Sequence, residues 1–253
     1  MTWRRRVLVA ALVVSACAAM AVAWSGKPGW LQPAAPSAHT TMVVAAHVPP
    51  LAFTPPPPGT YQLERIQDAP DGAVLDSDGS AHSLRAFTSG KVTLFSFIYT
   101  YCTDAKGCPL AYATLQALKA TIADDDALRG RVRFVSMSFD PAFDTPAMMR
   151  SYGGADARAT DAVPWHFLTT ASKEDLAPVL AGFGQDVSVT SAGAPGQRAP
   201  VLRHLLKVFL IDRAGVVREI YSPAYLHPEV LRNDIVTLLT ERTSLPATGL
   251  PAR

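Results

Sequence analysis

Two stretches of the chain have the hydrophobic pattern of buried β-strands. Residues 92–99 are an almost unbroken apolar run, which is typical of a central strand covered on both faces. Residues 131–139 alternate valine, phenylalanine and methionine with arginine and serine, which predicts a second strand. Two hairpins are also expected, one over residues 73–84 around Asp78-Gly79 and one that joins residues 207–212 to residues 216–221.

Four further stretches have the apolar spacing of helices. They cover residues 109–123, residues 146–153 after Asp144-Thr145, residues 172–184 with Ser172 as the cap, and residues 229–242. Residues 165–168 are a short apolar piece, and residues 187–200 are rich in Ser, Gly, Ala and Pro and predict a loop. The alternation of predicted strands and helices along the chain predicts an α/β fold, with a central mixed sheet covered by helices on both faces.

The N-terminal residues 1–26 predict an export signal or membrane anchor. Three arginines precede residues 7–24, an 18-residue run without a charge. A cleaved signal peptide ending near Ala21, an uncleaved membrane helix and a lipoprotein signal with Cys17 as the lipidated residue all fit this pattern. For Cys17, a small hydrophobe inside the anchor is favoured over lipidation. All three alternatives place the globular part outside the bacterial cytoplasmic membrane, on the periplasmic side.

Proline marks the boundary between this segment and the globular domain. Residues 27–60 form a Pro-rich linker that ends in four consecutive prolines, and such a sequence favours extended polyproline II structure. Residues 61–243 are expected to form the globular domain. Residues 244–253, with two further prolines, are expected to be a flexible tail.

Composition and charge narrow the possible functions. The chain is 49% hydrophobic and 17% charged, so a substantial core can form, and the net charge of +2 gives no reason to expect nucleic acid as a partner. Three cysteines are too few for a disulfide framework. Cys102 and Cys108 therefore indicate redox or metal chemistry, with Cys17 left over.

The two cysteines bracket a loop between a strand and a helix. Residues 92–99 lead into Cys102, and Cys108 is followed by Pro109 in the first turn of the next helix, where proline is well tolerated. The positive end of the helix dipole favours thiolate, which is both the nucleophile and the metal ligand. A dithiol at the end of the first central strand, followed directly by a helix, is a thioredoxin-like arrangement.

Four segments in this order resemble the Sco/SenC family of thioredoxin-like copper-binding proteins, over about residues 62–242. They are residues 95–102 (FSFIYTYC) with Cys108-Pro109-Leu110, residues 134–141 (FVSMSFDP) with Asp144-Thr145-Pro146, residues 165–169 (WHFLT), and His204 with residues 208–215 (VFLIDRAG).

The resemblance implies a copper-binding function. Members of the family bind one copper ion through two cysteines and a distant histidine, which correspond here to Cys102, Cys108 and His204. Thiolates select Cu(I), and imidazole accommodates both Cu(I) and Cu(II). The implied role is that of a metallochaperone or thiol–disulfide reductant in assembly of the dinuclear copper (CuA) centre of cytochrome c oxidase. Its expected partners are the copper-bearing oxidase subunit, other copper chaperones and thioredoxin-like reductants.

One departure from the family keeps an alternative open. The usual spacing places three residues between the cysteines, whereas this chain has five, including Lys106. A disulfide requires the two Cα atoms to approach to about 6 Å. A thiol–disulfide oxidoreductase or redox sensor that uses Cys102 and Cys108 without metal is therefore the second hypothesis, and a peroxidase is a distant third. Of the other histidines, His166 is expected to be structural, His227 a helix cap and His82 exposed.

Overall fold

Cys102 follows the end of the central strand by four residues. All seven residues of Val92–Ile98 are buried, and so are all seven residues of the neighbouring strand Val132–Ser138. These strands pair in parallel, as expected for strands covered on both faces. The computed structural model describes residues 47–191 and 201–241.

Ten strands occur in the described part of the chain. Six of them form one mixed sheet in the order β1-β10-β9-β4-β5-β6, in which only the β4–β5 and β5–β6 pairs are parallel. The other four form two small antiparallel ribbons, β2–β3 and β7–β8. The bounds are β1 Gln67–Asp68, β2 Ala73–Leu75, β3 Ala81–Ser83, β4 Val92–Ile98, β5 Val132–Ser138, β6 Trp165–Leu168, β7 Ser188–Ser191, β8 Val201–Arg203, β9 Val208–Ile211 and β10 Val216–Tyr221.

In the described residues, five α-helices and a short 3-10 helix lie between these strands or after the last one. The second and fifth helices pack against each other and against β4. The third helix packs on β6, where a Cβ on Gly153 would lie 2.6 Å from the Phe167 ring, so only glycine fits there. The bounds are α1 Arg85–Thr88, α2 Cys108–Ala123, α3 Pro146–Gly153, the 3-10 helix Asp156–Arg158, α4 Lys173–Gly182 and α5 Pro228–Thr240.

The predicted mixed α/β fold is confirmed, with several local differences. Strand β1 and helix α1 have two and four residues, too few to give a periodic pattern. Strand β7 lies within the predicted loop at residues 187–200 and pairs with β8, because backbone pairing does not require the apolar alternation by which strands are recognised.

An aromatic cluster fixes the central strand. The Phe95 ring stacks on Phe183 at 4.6 Å, and Phe97 stacks on Phe139 at 5.3 Å. Phe209 of the neighbouring strand contacts Phe183 at 4.8 Å. Burying such rings stabilises the fold by about 2–3 kcal/mol each. The strand that leads to Cys102 is thus held by packing on α4 and β9.

The end of the Pro-rich linker packs on helix α5. Pro55 is buried, and the carbonyl of Pro56 accepts a hydrogen bond from Asn233 at 3.0 Å. Within residues 47–191 and 201–241, no helix is long and apolar enough to cross a membrane. The predicted anchor with Cys17, the first part of the linker and the C-terminal tail lie outside the described residues.

Candidate metal centre

Two tight turns position the cysteines at the end of β4. The Cys102 amide donates to the Tyr99 carbonyl at 3.1 Å, and the Gly107 amide donates to the Asp104 carbonyl at 2.8 Å. Cys108 then begins helix α2. A Cβ on Gly107 would lie 3.2 Å from the Asp104 carbonyl oxygen and 3.4 Å from Cys102 Sγ, so glycine lets the five-residue loop fold closely over the sulfur.

The two thiols are free, buried and hydrogen-bonded to each other. Cys102 is 9% exposed and Cys108 is 1% exposed. The hydrogen bond from Cys108 is the largest cause that lowers the pKa of Cys102, to about 6, against an opposing effect of burial. The same hydrogen bond and burial raise the pKa of Cys108 well above its ordinary range. Cys102 therefore carries the thiolate and Cys108 donates to it.

Further donors converge on the Cys102 sulfur. After the Cys108 thiol, the hydroxyl of Tyr99 and the backbone N–H groups of Cys108 and Asp104 lower its pKa. The Cys108 N–H belongs to the first turn of α2, which is the positive end of the helix dipole. The sequence predicts that the helix N-terminus favours a thiolate. In the structure this effect lowers the pKa of Cys102, which lies six residues before the helix, rather than that of Cys108, which begins the helix.

His204 lies between β8 and β9 and faces an aromatic wall. Its ring is 4.4 Å from the Phe139 ring and 5.7 Å from the Tyr99 ring, measured between centroids. Burial lowers its pKa, against a smaller opposing effect of Asp104. Both ring nitrogens are buried and have no hydrogen-bond partner. A neutral imidazole with two unpaired nitrogens is suited to coordinate a metal ion.

The site residues predicted from sequence lie around Tyr99. Its hydroxyl is hydrogen-bonded to Cys102 and its ring contacts His204, while Cys102 and Cys108 contact each other. In the described part of the chain, no three His, Cys, Asp or Glu side chains form a preassembled metal cluster. The geometry therefore brings the two thiols together, and His204 contacts the same tyrosine without completing a cluster with them.

The structure also shows the surroundings of the three histidines that were not predicted to bind metal. His166 Nδ1 lies 3.0 Å from Asp76 Oδ2 and the ring packs on Phe87 at 4.8 Å, so His166 is structural. His227 caps α5 by accepting from the Glu229 amide at 3.2 Å. His82 is exposed. These three predictions are confirmed, and none of these histidines contributes to the dithiol site.

Sequence reasoning missed Tyr99 and Phe139 as parts of the site. Both end apolar strand stretches, and a buried aromatic residue there has the pattern of a core residue. Their positions could have identified them, because each residue follows the carboxyl end of a central strand. In α/β proteins, binding residues lie at these strand ends.

Fold and site together define a thioredoxin-like domain with a dithiol and an unpaired histidine. The sequence profile of the SCO1/SenC family matches residues 73–240. The match spans more than half of the chain, and the chain therefore belongs to the SCO1/SenC family. A search of curated proteins finds no match.

Solved structures of Sco proteins have the same fold. The chain is similar to copper-bound ScoI from Arabidopsis thaliana, with 19% identity, 68% of this chain and 97% of that chain covered, and a TM-score of 0.56. It is similar to copper-bound yeast Sco1, with 18% identity, 72% and 92% covered, and a TM-score of 0.57. A SCO1/SenC family lipoprotein from Bacillus anthracis is 25% identical, with 68% and 95% covered and a TM-score of 0.54.

Proposed function

We propose that this protein binds one copper ion through Cys102, Cys108 and His204. The observation that carries the proposal is the histidine: both ring nitrogens of His204 are buried without a hydrogen-bond partner, close to a hydrogen-bonded dithiol. Leaving such groups unpaired costs about 1–3 kcal/mol, which a metal ligand bond would offset. The Arabidopsis and yeast relatives hold copper in their structures.

The donor set matches the chemistry of copper. Two thiolates are soft ligands that favour Cu(I), and the neutral imidazole of His204 accepts Cu(I) or Cu(II). Cys102 supplies a thiolate near neutral pH because its pKa is about 6. Cys108 has a raised pKa, so copper must displace its proton on binding. Because Cys102, Cys108 and His204 do not form a cluster in this structure, copper binding requires movement of the segment between β8 and β9 that carries His204.

The role of the bound copper is assembly of the CuA centre of cytochrome c oxidase, with the copper-bearing oxidase subunit as the recipient. Membership of the SCO1/SenC family supports this role. Other copper chaperones and thioredoxin-like reductants are the further proposed partners, as supplier of copper and of electrons respectively. Deletion of the gene is expected to leave oxidase without its CuA absorption, and restoration by the wild type but not by Cys102→Ala would support the assignment.

Copper stoichiometry tests the site directly. The reduced protein is reconstituted with Cu(I) or Cu(II), desalted and analysed for metal. We expect one copper per chain in the wild type, none retained in Cys102→Ala, and copper affinity lowered at least about hundredfold in His204→Ala. His166→Ala is the matched control, because that histidine already has a carboxylate partner. Undiminished copper binding by His204→Ala would remove His204 from the site.

The domain is proposed to be tethered to the outer face of the cytoplasmic membrane. The uncharged run at residues 7–24, with arginines before it, supports the tether. Cell fractionation should recover the full chain with membranes and a chain without residues 1–26 in the soluble fraction. Cys17→Ala separates lipidation from a membrane helix, since only a lipidated protein would lose its membrane attachment.

The different protonation states of the two cysteine sulfurs favour a second function. A thiolate on Cys102 beside a protonated Cys108 is the arrangement of thiol–disulfide oxidoreductases. In that role Cys102 would attack a partner disulfide, and Cys108 would resolve the mixed disulfide by forming a bond to Cys102 and releasing the reduced partner. Equilibration with glutathione buffers followed by thiol trapping tests it. A pair that never forms an internal disulfide would exclude it.

A further inference from the structure

The loop that carries the dithiol shares one end of the central sheet with two other segments. Ser96 of β4 and Tyr221 of β10 both pair with Val208, which is the first residue of β9. The loop with Cys102 and Cys108, the segment before β9 and the segment after β10 therefore leave the sheet on the same side. We call this side of the domain the dithiol end.

Exposed apolar side chains are concentrated at the dithiol end. Leu205, which precedes β9, is 75% exposed, and Tyr225, which follows β10, is 56% exposed. Phe53 of the linker is 42% exposed, and its ring centroid lies 5.9 Å from that of Tyr225. Among the described residues, the one other large hydrophobic side chain that is exposed is Ile66, whose amide donates to Val217 at the opposite end of β10. Single exposed apolar residues are ordinary on a protein surface, whereas their concentration on one side indicates a contact surface.

The linker also enters the described domain at the dithiol end. From Phe53, which packs on the segment before α5, the linker follows that helix towards its C-terminus. The Pro56 carbonyl accepts from Asn233 at 3.0 Å, and the Gly59 amide donates to Thr237 one turn further along the helix at 2.9 Å. The part of the chain that precedes Phe53 therefore continues from the dithiol end.

The length of the linker shows that a tether alone does not orient the domain. Residues 25–52 separate Phe53 from the uncharged run at residues 7–24. An extended Pro-rich chain of that length reaches about 90 Å, whereas β4 is only about 23 Å long. A tethered domain could therefore turn either end towards a membrane, and its own surface must provide the preference. Aromatic and aliphatic side chains favour the interface between lipid headgroups and acyl chains, and a tether keeps them at high local concentration.

We propose that the dithiol end docks on the surface of a lipid bilayer, with Phe53, Leu205 and Tyr225 inserted at the level of the headgroups. This orientation rests on the proposed tether and extends it. The loop that carries Cys102 faces the membrane, and the end of the sheet with Ile66 faces away from it. Substrates of the dithiol must then lie close to the bilayer surface, as in a partner that is itself anchored in the membrane. Because the three inserted side chains are uncharged, docking should not depend on anionic lipid or on salt.

Photolabelling from the lipid tests the orientation. The reduced full chain is reconstituted into phosphatidylcholine vesicles that contain a phosphatidylcholine with a diazirine at headgroup level. After irradiation and digestion, mass spectrometry locates the labels. We expect them at Phe53, Leu205 and Tyr225 and not at Ile66, which is as exposed as Phe53 but lies at the opposite end. The labels should persist at high salt.

Serine variants separate insertion from mere proximity to the lipid. Leu205→Ser and Tyr225→Ser change exposed side chains, so the double variant should fold. Removal of two apolar side chains should lower the labelling of Phe53 by about tenfold. Ile66→Ser is the matched control and should leave that labelling at its wild-type value.

The possible results separate the orientation from the tether. Equal labelling of the two ends, or unchanged labelling in the double variant, would overturn the inference while the tether stands. If a second copy or another protein covers the dithiol end, Leu205 would be shielded from a water-soluble diazirine without receiving a lipid label, and the inference would also fall. A full chain that does not float with the vesicles would overturn the proposed tether, and this orientation with it.

Discussion

Cys102 and Cys108 differ in chemical character although both lie on one short loop. Cys108 is more deeply buried, and its pKa is raised by its hydrogen bond to Cys102 and by burial. Cys102 receives the hydrogen bonds of the loop, and its pKa falls to about 6. The lower pKa makes Cys102 the first attacking group in redox chemistry and the first thiolate available to a metal.

Titration of the reduced, metal-free protein should show this difference. The ultraviolet absorbance of thiolate is expected to rise with a midpoint near pH 6, because Cys102 ionises as the pH passes its pKa. Cys108 should ionise only above the ordinary range of thiols. Cys102→Ser should abolish the first step, and Cys108→Ala should raise its midpoint by removing a donor. A wild type with both steps above pH 8 would contradict the assignment.

The proposed ligand residues could be picked out from the sequence, but their surroundings could not. Cys102 and Cys108 stand out by residue type and spacing, and His204 stands out through the resemblance to a family. Tyr99 does not stand out, because its role depends on the turn that follows β4 and on a loop from β8 about a hundred residues away. Such contacts depend on tertiary packing, and no local pattern of apolar residues records them.

At the scale of elements, a buried aspartate joins the ends of the two parallel central strands. Asp144 has 0% exposure and accepts hydrogen bonds from the Thr100 hydroxyl at 2.5 Å, the Thr100 amide at 3.2 Å and the Ser138 hydroxyl at 2.6 Å. Burial raises its pKa, against the lowering effect of these donors. Thr100 is two residues before Cys102, so Asp144 fixes the strand end from which the cysteine loop starts.

Replacing Asp144 should therefore destabilise the domain according to the number of donors left unpaired. Asp144→Ala leaves three buried donors without an acceptor and should lower the free energy of unfolding by about 3 kcal/mol. Asp144→Asn retains the carbonyl acceptor and should cost less. Denaturant unfolding of both variants measures the difference. Equal losses in the two variants would show that the carboxylate charge, and not the number of retained acceptors, explains the effect.

A second polar contact joins the β2–β3 hairpin to the edge strand β6. Asp76 accepts from His166 and from the Ser77 amide, and the backbones of Leu75 and Thr169 pair beside it. Burial raises the pKa of Asp76, but the hydrogen bonds from His166 and Ser77 outweigh that effect, so the pKa lies below its ordinary value of 3.8. The contact covers the edge of the sheet, which would otherwise be open to pairing.

The stabilisation from Asp76 should depend on pH in a defined direction. A carboxyl whose pKa is lowered by folding stabilises the folded state above its unfolded pKa, and the contribution is lost as the pH falls through the folded pKa. Asp76→Asn should thus cost about 1 kcal/mol at neutral pH. That cost should shrink as the pH falls below 3.8. Thermal unfolding of both proteins from pH 7 down to pH 3 measures it, and a pH-independent difference would contradict a role for the ionised Asp76 carboxylate.

Sequence predicted the long elements and missed the short ones for a physical reason. Strand β4 is an almost unbroken apolar run, and strand β5 and helix α2 carry apolar residues at the spacing of a strand and of a helix. Strand β1 is held by pairing with Val216 and Val217, so its existence depends on a partner distant in sequence. The position of β9 between β4 and β10 likewise follows from long-range pairing that no local pattern contains.

For the whole molecule, the end of the linker is part of the folded domain. The Gly59 amide donates to Thr237 at 2.9 Å, and the Tyr61 hydroxyl donates to Asp234 at 2.5 Å. Asp234 also accepts from the buried Tyr221 hydroxyl at 2.7 Å, and burial raises its pKa. Proline-rich sequence predicts an extended spacer, but it does not show that backbone groups of the spacer bind helix α5. The free spacer is therefore shorter than the composition indicates.

Truncation should show what this contact contributes. A chain that starts at residue 62 loses the hydrogen bonds of Pro56, Gly59 and Tyr61 to α5, whereas a chain that starts at residue 53 keeps all three. At about 1 kcal/mol for each hydrogen bond the shorter chain should be less stable by about 3 kcal/mol. The corresponding fall in Tm is about 6–12 °C for a domain of this size.

Arg218 keeps its acceptors Leu63 and Glu64 in both chains, so the comparison isolates the linker. Equal melting temperatures, measured by circular dichroism, would show that the linker rests on α5 without stabilising it, and the spacer would then have its full predicted length.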